Sequence, residues 1–152
     1  MKVVAFCDGG ARGNPGPAGL GVSIKGPRGK ILAEISEAIG HATNNVAEYS
    51  AVKRALERAS ELGAAEVEVV SDSKLLVEQL NLRYKVKNPT LQRLHAEVRA
   101  VARGFDSVVY RHVRRERNVR ADELVNLAID AWLADGGEPA PDRADPGQKP
   151  LF

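Results

Sequence analysis

An α/β fold is what this 152-residue sequence predicts, and three observations predict it. The first third carries short β-branched and apolar runs separated by glycine and proline turns, the pattern of antiparallel strands. From Thr43 onward, helical stripes alternate with short strand runs, as in a layered α/β sheet. The length suits one domain with a sizeable core. We expect residues 1–134 to form that domain and residues 135–152, rich in Gly, Pro and Asp, to be a flexible tail.

In chain order, Val3 to Phe6 is a strand that delivers Asp8 to a glycine-rich segment containing Gly9, Gly10, Gly13, Asn14, Pro15 and Gly16. That segment reads either as an ordinary hairpin connection or as backbone shaped to approach a polyanion. Leu20 to Lys25 alternates as a second strand, Gly26-Pro27-Arg28-Gly29 turns, and Lys30 to Ile39 returns as a third. A helix follows, with Thr43, Asn44 or Asn45 as its cap and Gly63 as its stop. Its inward stripe includes Val52, Ala55, Ala59 and Leu62, and Glu48 falls on the same stripe. Glu66 to Val70 is the fourth strand, followed by Ser71-Asp72-Ser73 and a short helix to Leu80. Asn81 to Lys87 is a polar connector, and Asn88-Pro89-Thr90 opens a helix that ends at Arg103-Gly104. Asp106 to Val113 is the fifth strand, and a last helix spans Val119 to Ala134 with Asp122 in its first turn.

Composition excludes several classes. No window approaches the roughly 18 consecutive apolar residues of a membrane span. No basic segment followed by an apolar stretch and a cleavage site opens the chain, so no secretory signal is expected. The single cysteine, Cys7, cannot form an internal disulfide and reads as a buried strand residue; a reducing cytoplasm is the expected location. Net charge is +2, but residues 135–152 hold Asp135, Glu138, Asp142 and Asp145 against Arg143 and Lys149, leaving 20 basic and 16 acidic side chains elsewhere. The densest basic stretch holds Arg111, Arg114, Arg115, Arg117 and Arg120. Charge alone reads it equally as a phosphate-binding edge or a solvated loop.

Four acids recur at element ends: Asp8, Glu48, Asp72 and Asp122. Individually, Glu48 and Asp72 are also explained by helix capping and dipole effects. Yet ligands gather where parallel strands end, where Asp72 lies. No Ser-His-Asp set, zinc-type Cys/His spacing or Walker loop competes. Four hard oxygen donors suit magnesium or manganese, and two such ions about 3.5–4 Å apart drive phosphoryl displacement.

The segments CDGGARGNPGPAGLG, TNNVAEYSAV, VVSDSKLLVEQL and ERNVRADELVNLAI together resemble the type 1 ribonucleases H, over about residues 2–134 and in order. The likeness is greatest to compact bacterial and archaeal members without a separate hybrid-binding domain. It implies a ribonuclease H-like fold, a five-stranded mixed sheet of three antiparallel then two parallel strands with helices on both faces. It also implies endonucleolytic cleavage of the RNA strand of an RNA/DNA hybrid, leaving 5'-phosphate and 3'-hydroxyl ends. By the same resemblance Asp8, Glu48, Asp72 and Asp122 hold two Mg2+ ions, with Mn2+ able to substitute. Substrate contacts carried over are Gly10, Ala11, Arg12 and Asn14 in the first turn, Asn44 and Asn45 at the helix start, and Thr43 with Asn88 at a DNA-strand phosphate. Reading an RNA strand needs such polar groups in a shallow minor groove, where the 2'-hydroxyl both donates and accepts.

Two departures from the family stand out. Only the Asn81 to Lys87 connector occupies the place of a basic, tryptophan-bearing insertion, so the arginine cluster is expected to bear more of the binding. His112 lies at the gapless spacing of the family's mobile histidine, but the strand pattern puts it in or just after the fifth strand. We therefore expect that histidine's role to be missing here. The tail's Gln148, Leu151 and Phe152 resemble a sliding-clamp docking peptide, although so short a motif also arises in an unremarkable terminus. A monomer is expected. A catalytically silent hybrid-binding module and a 3' to 5' exonuclease of the same superfamily are the competing functions; intact acids oppose the first, and the TNN helix start opposes the second.

Overall fold

A computed structural model describes residues 1–139. Five strands form one sheet: β1 (Lys2–Ala11), β2 (Gly16–Lys25), β3 (Ile31–Ala42), β4 (Glu66–Ser71) and β5 (Ser107–His112). Their spatial order is β3-β2-β1-β4-β5, with β1, β2 and β3 antiparallel and β4 pairing in parallel with both β1 and β5. Four α-helices lie among the described residues: α1 (Asn44–Glu61), α2 (Lys74–Leu80), α3 (Pro89–Ala102) and α4 (Val119–Ala134). No helix among the described residues is long and apolar enough to cross a membrane.

The strands alternate as their sequences predict, and the two parities meet different helices. Val3, Ala5 and Cys7 of β1, with Leu20, Val22 and Ile24 of β2, join the core that includes Val52, Ala55, Leu56 and Ala59 of α1. The opposite face is covered by α4, whose Ala121, Leu124, Val125, Ala128 and Ile129 are buried. β2, central to both layers, is therefore buried along nine of its ten residues. On the α1 side a polar chain ties the helices together. The Tyr49 hydroxyl donates to Gln79 Oε1 at 2.6 Å, Gln79 Nε2 donates to the Lys85 carbonyl, and His95 Nε2 lies 3.0 Å from the Gln79 carbonyl. Such a buried hydroxyl needs a partner, and Gln79 supplies it.

Three boundaries differ from expectation. β1 does not stop before the glycines: Gly9, Gly10 and Ala11 remain in the ladder opposite Leu20, Gly19 and Ala18, and the turn is confined to 12–15. The reason is space. A Cβ on Gly9 would overlap the backbone of Ala47 and Glu48, and one on Gly21 would overlap the Ala121 carbonyl. These glycines let two helices press against the sheet, one on each face. β3 runs to Ala42, three residues beyond expectation, with a bulge near Gly19 and Gly40 that takes up the register. Past α4 the described residues run on into the segment expected as a tail. Gly136, at φ +96°, closes the helix with Gly136 N–H donating to the Leu133 carbonyl and Gly137 N–H to the Trp132 carbonyl. Glu138 then meets His41 of β3 through its carbonyl. Gln148, Leu151 and Phe152 lie outside the described residues.

Candidate active site

The sheet register brings the acids together. Cys7 pairs with Ser71 across the parallel β1–β4 ladder, so the next residues stand side by side, Asp8 still within β1 and Asp72 just past the end of β4. Glu48 lies on α1 where the helix backbone crosses Gly9, one residue from Asp8. Asp122 lies in the first turn of α4, next to Ala121, which covers Gly21, and Gly21 is the cross-strand partner of Asp8. One open cleft of about 400 Å³ is lined by Asp8, Glu48, Asp72 and Asp122, with Gly10, Ala11, Arg12, Asn44, Ser73 and Arg115 around them.

None of the four acids has an ion-pair partner among the described residues. Burial pushes the Asp8 carboxyl up to about 8, and the nearby carboxylates of Asp72 and Asp122 push in the same direction. Burial also raises Glu48, opposed by a hydrogen bond from Ser73. Like charges held this close without a counter-charge cost free energy that a divalent cation would offset. Among the described residues no three His, Cys, Asp or Glu side chains close into a finished metal cage. The acids instead line an accessible cleft, which suits Mg2+, an ion that keeps several waters and takes few carboxylates together with substrate phosphates. The donor chemistry fits; the shell is left open.

The predicted contact residues divide by position. Gly10, Ala11, Arg12 and Asn44 line the cleft, whereas Asn14, Thr43, Asn45 and Asn88 do not. Asn44 Oδ1 accepts from Ala11 N–H at 2.8 Å, and Asn14 Oδ1 accepts from Asn44 N–H at 3.0 Å, so the two asparagines stitch the β1–β2 turn to the start of α1. Arg12 reaches α4, pairing with Asp130 at 2.6 Å and donating to Asn126 Oδ1. Thr43 caps α1 by accepting from Val46 N–H, Asn45 is exposed on that helix, and Asn88 caps α3 by accepting from Thr90 and Leu91 N–H. His112 ends β5, exposed, beside Arg111 and Arg114 and away from the cleft lining. Cys7 is buried, and burial with the neighbouring Asp8 charge keeps its thiol protonated.

Two residues were missed by sequence reasoning. Ser73 caps α2 by accepting from Leu76 N–H and shares the cleft lining with Glu48; its place beside Asp72 was the available signal. Asn118 is buried at the start of α4, donating from Nδ2 to the Cys7 carbonyl at 2.8 Å and, more weakly, to Asp72 Oδ2 at 3.5 Å. Its own carbonyl accepts from Asp122 N–H. One side chain thus ties the strands bearing Asp8 and Asp72 to the helix bearing Asp122, and no local pattern announces it.

Comparison with known proteins places this arrangement. A family model described as "Reverse transcriptase-like" matches residues 6–128. A ribonuclease H of Methylococcus capsulatus is 35% identical over 155 residues, covering 91% of this chain and 96% of that protein. The chain belongs to the ribonuclease H family. The ribonuclease H likeness extends to a "Bifunctional protein Rv2228c" of Mycobacterium tuberculosis, 50% identical over 132 residues. That match covers 86% of this chain but 36% of the mycobacterial protein, so the chain spans about a third of that relative's length. Among solved ribonuclease H structures, LC11-RNase H1 in complex with an RNA/DNA hybrid has a TM-score of 0.83 at 48% identity, covering 86% of this chain and 99% of that one. The five-stranded mixed sheet flanked by helices is the ribonuclease H fold.

Proposed function

We propose that the chain is an endoribonuclease that hydrolyses the RNA strand of RNA/DNA hybrids, leaving 5'-phosphate and 3'-hydroxyl ends. The observation that carries this reading is the convergence of Asp8, Glu48, Asp72 and Asp122 from four separate segments on one cleft, none of them in an ion pair among the described residues. The hybrid held by LC11-RNase H1, at 48% identity, supports the choice of substrate.

In this reading the four carboxylates would hold two divalent ions, Mg2+ or Mn2+, which when bound supply a nucleophilic water and stabilise the leaving oxygen. The protein's own part is to set the geometry. Asn118 fixes the β1 and β4 ends against α4, and Ser73 lies beside Glu48 in the cleft lining. The cleft lip formed by Gly10 and Ala11 carries no bulky side chain, so a sugar edge can approach the backbone closely. The Asn44 amide nitrogen remains a donor toward a 2'-hydroxyl while its Oδ1 is held by Ala11. Thr43 and Asn88 each spend an oxygen on a helix cap and keep a donor, the Thr43 hydroxyl proton and the Asn88 amide, for a phosphate of the DNA strand.

The test is cleavage of an end-labelled hybrid beside double-stranded RNA and DNA, with Mg2+ or Mn2+, by the intact chain and by Asp72→Asn. Internal cuts in the hybrid's RNA, lost in the variant while its thermal unfolding is retained, are expected. Hybrid binding without cleavage by either metal would sink the hydrolase reading, and a circular hybrid left uncut would turn it toward an exonuclease.

A further inference from the structure

The basic stretch between β5 and α4 separates into two classes once its partners are known. Arg111 pairs with Glu68 of β4, and Arg120 pairs with Glu34 of β3 and Glu123 of its own helix. Those two arginines are neutralised by the fold. Arg114, Arg115 and Arg117 are exposed and have no ion-pair or side-chain hydrogen-bond partner among the described residues. They sit on and beside a 3-10 turn at Arg115–Arg117, with Glu116 the one acid among them. Arg115 lines the acidic cleft, whereas Arg114 and Arg117 line a second open groove with Arg111, His112 and Val113. The cluster therefore begins at the acids and leads away from them.

Three guanidinium groups within four residues repel one another, and the tight turn keeps them from dispersing as they would along an extended chain. None of the three has an ion-pair partner among the described residues, and the phosphates of a polyanion would supply them. Guanidinium is also the side chain best matched to phosphate, which it can meet with two parallel N–H donors.

We propose that Arg114, Arg115 and Arg117 form a phosphate track that carries the substrate backbone from the cleft into the groove beside β5, and that Arg111 and Arg120 take no part in it. This rests on the hydrolase reading above. Arg115 meets a phosphate near the scissile position; Arg114 and Arg117 meet phosphates farther along the duplex. The contacts are electrostatic, so they set affinity and salt dependence without reading sequence.

The experiment compares two double variants of equal charge change, Arg114→Ala/Arg117→Ala and Arg111→Ala/Arg120→Ala, by fluorescence anisotropy of a labelled RNA/DNA hybrid in metal-free buffer over a KCl series. Each phosphate contact contributes about 0.7–0.9 to the slope of log K against log salt. The first pair should flatten the slope by about 1.5 relative to the unaltered chain, and the second by less than about 0.5. Arg114→Lys/Arg117→Lys should restore the slope, because a point charge suffices to displace counterions. In cleavage with Mg2+, the first pair should raise KM about tenfold or more and leave kcat within about threefold. Thermal unfolding of each variant separates lost binding from lost fold. Equal flattening by both alanine pairs, or flattening by neither, would overturn the track while hybrid cleavage by the unaltered chain still stood. Failure of the unaltered chain to cut the hybrid overturns the hydrolase reading and the track with it.

Discussion

Asn118 and His112 show how position, rather than residue type, assigns a role. Asn118 lacks the charge that marks the four acids, yet its amide holds the Cys7 carbonyl one residue from Asp8. Asn118→Ala leaves that buried carbonyl without its donor, which costs about 1–3 kcal/mol. Urea unfolding should register the loss, and a change below about 0.5 kcal/mol would mean that water replaces the amide. Because the same side chain also reaches Asp72, kcat should fall with stability, whereas a purely structural loss would leave the kcat of the folded fraction intact. His112, by contrast, has the ring chemistry of a proton shuttle but lies at the end of β5, outside the cleft lining. Replacing it with alanine should leave metal-dependent turnover within a few fold; a fall of two orders of magnitude would return a catalytic role to it.

Elements meet this site through absent side chains. Gly9 admits α1 and Gly21 admits α4, so the distance from each helix to the sheet is set by hydrogen atoms where any other residue would place a methyl group. Gly9→Ala or Gly21→Ala forces a Cβ into helix backbone, at the upper end of the roughly 1–3 kcal/mol that overpacking costs. Differential scanning calorimetry should show a lower Tm for both, and activity should fall further than stability because Glu48 or Asp122 moves with its helix. An unchanged Tm would show that the helices can shift at no cost. These glycines also explain what the sequence left unread. The strand and helix runs were legible from periodicity, and the end of α1 from Gly63. The extent of β1 was not, because glycine after an acid signals a turn locally, and only the helices lying over Gly9 and Gly21 reveal it as close packing.

Across the whole molecule, the four acids were legible as a set while most of their surroundings were not. Asp8, Glu48, Asp72 and Asp122 stand at recurrent positions along the chain, whereas Asn118, Ser73 and the division among the arginines depend on contacts between distant segments. The acids together have a consequence for pH. The Asp8 pKa is raised from 3.8 to about 8, so the folded chain holds that proton more tightly than the unfolded one does. That contribution is complete below about pH 4 and is lost as pH rises toward 8. A divalent ion held by these carboxylates would replace the proton, so the gain in Tm on adding Mg2+ or Mn2+ should be larger at pH 8 than at pH 5; equal gains would argue against a carboxylate metal site. At the chain's far end, deletion of residues 148–152 should abolish binding to a bacterial sliding clamp and spare hydrolysis, and no clamp affinity in the intact chain would end that idea. The bond from Asn118 to Cys7 spans 111 positions. During synthesis the strands that carry Asp8 and Asp72 are made long before the helix that carries Asp122, and a nascent chain short of α4 lacks both the last acid and the amide that sets the others. On the hydrolase reading, the fourth acid and the amide that ties it to the other strands arrive together, with α4.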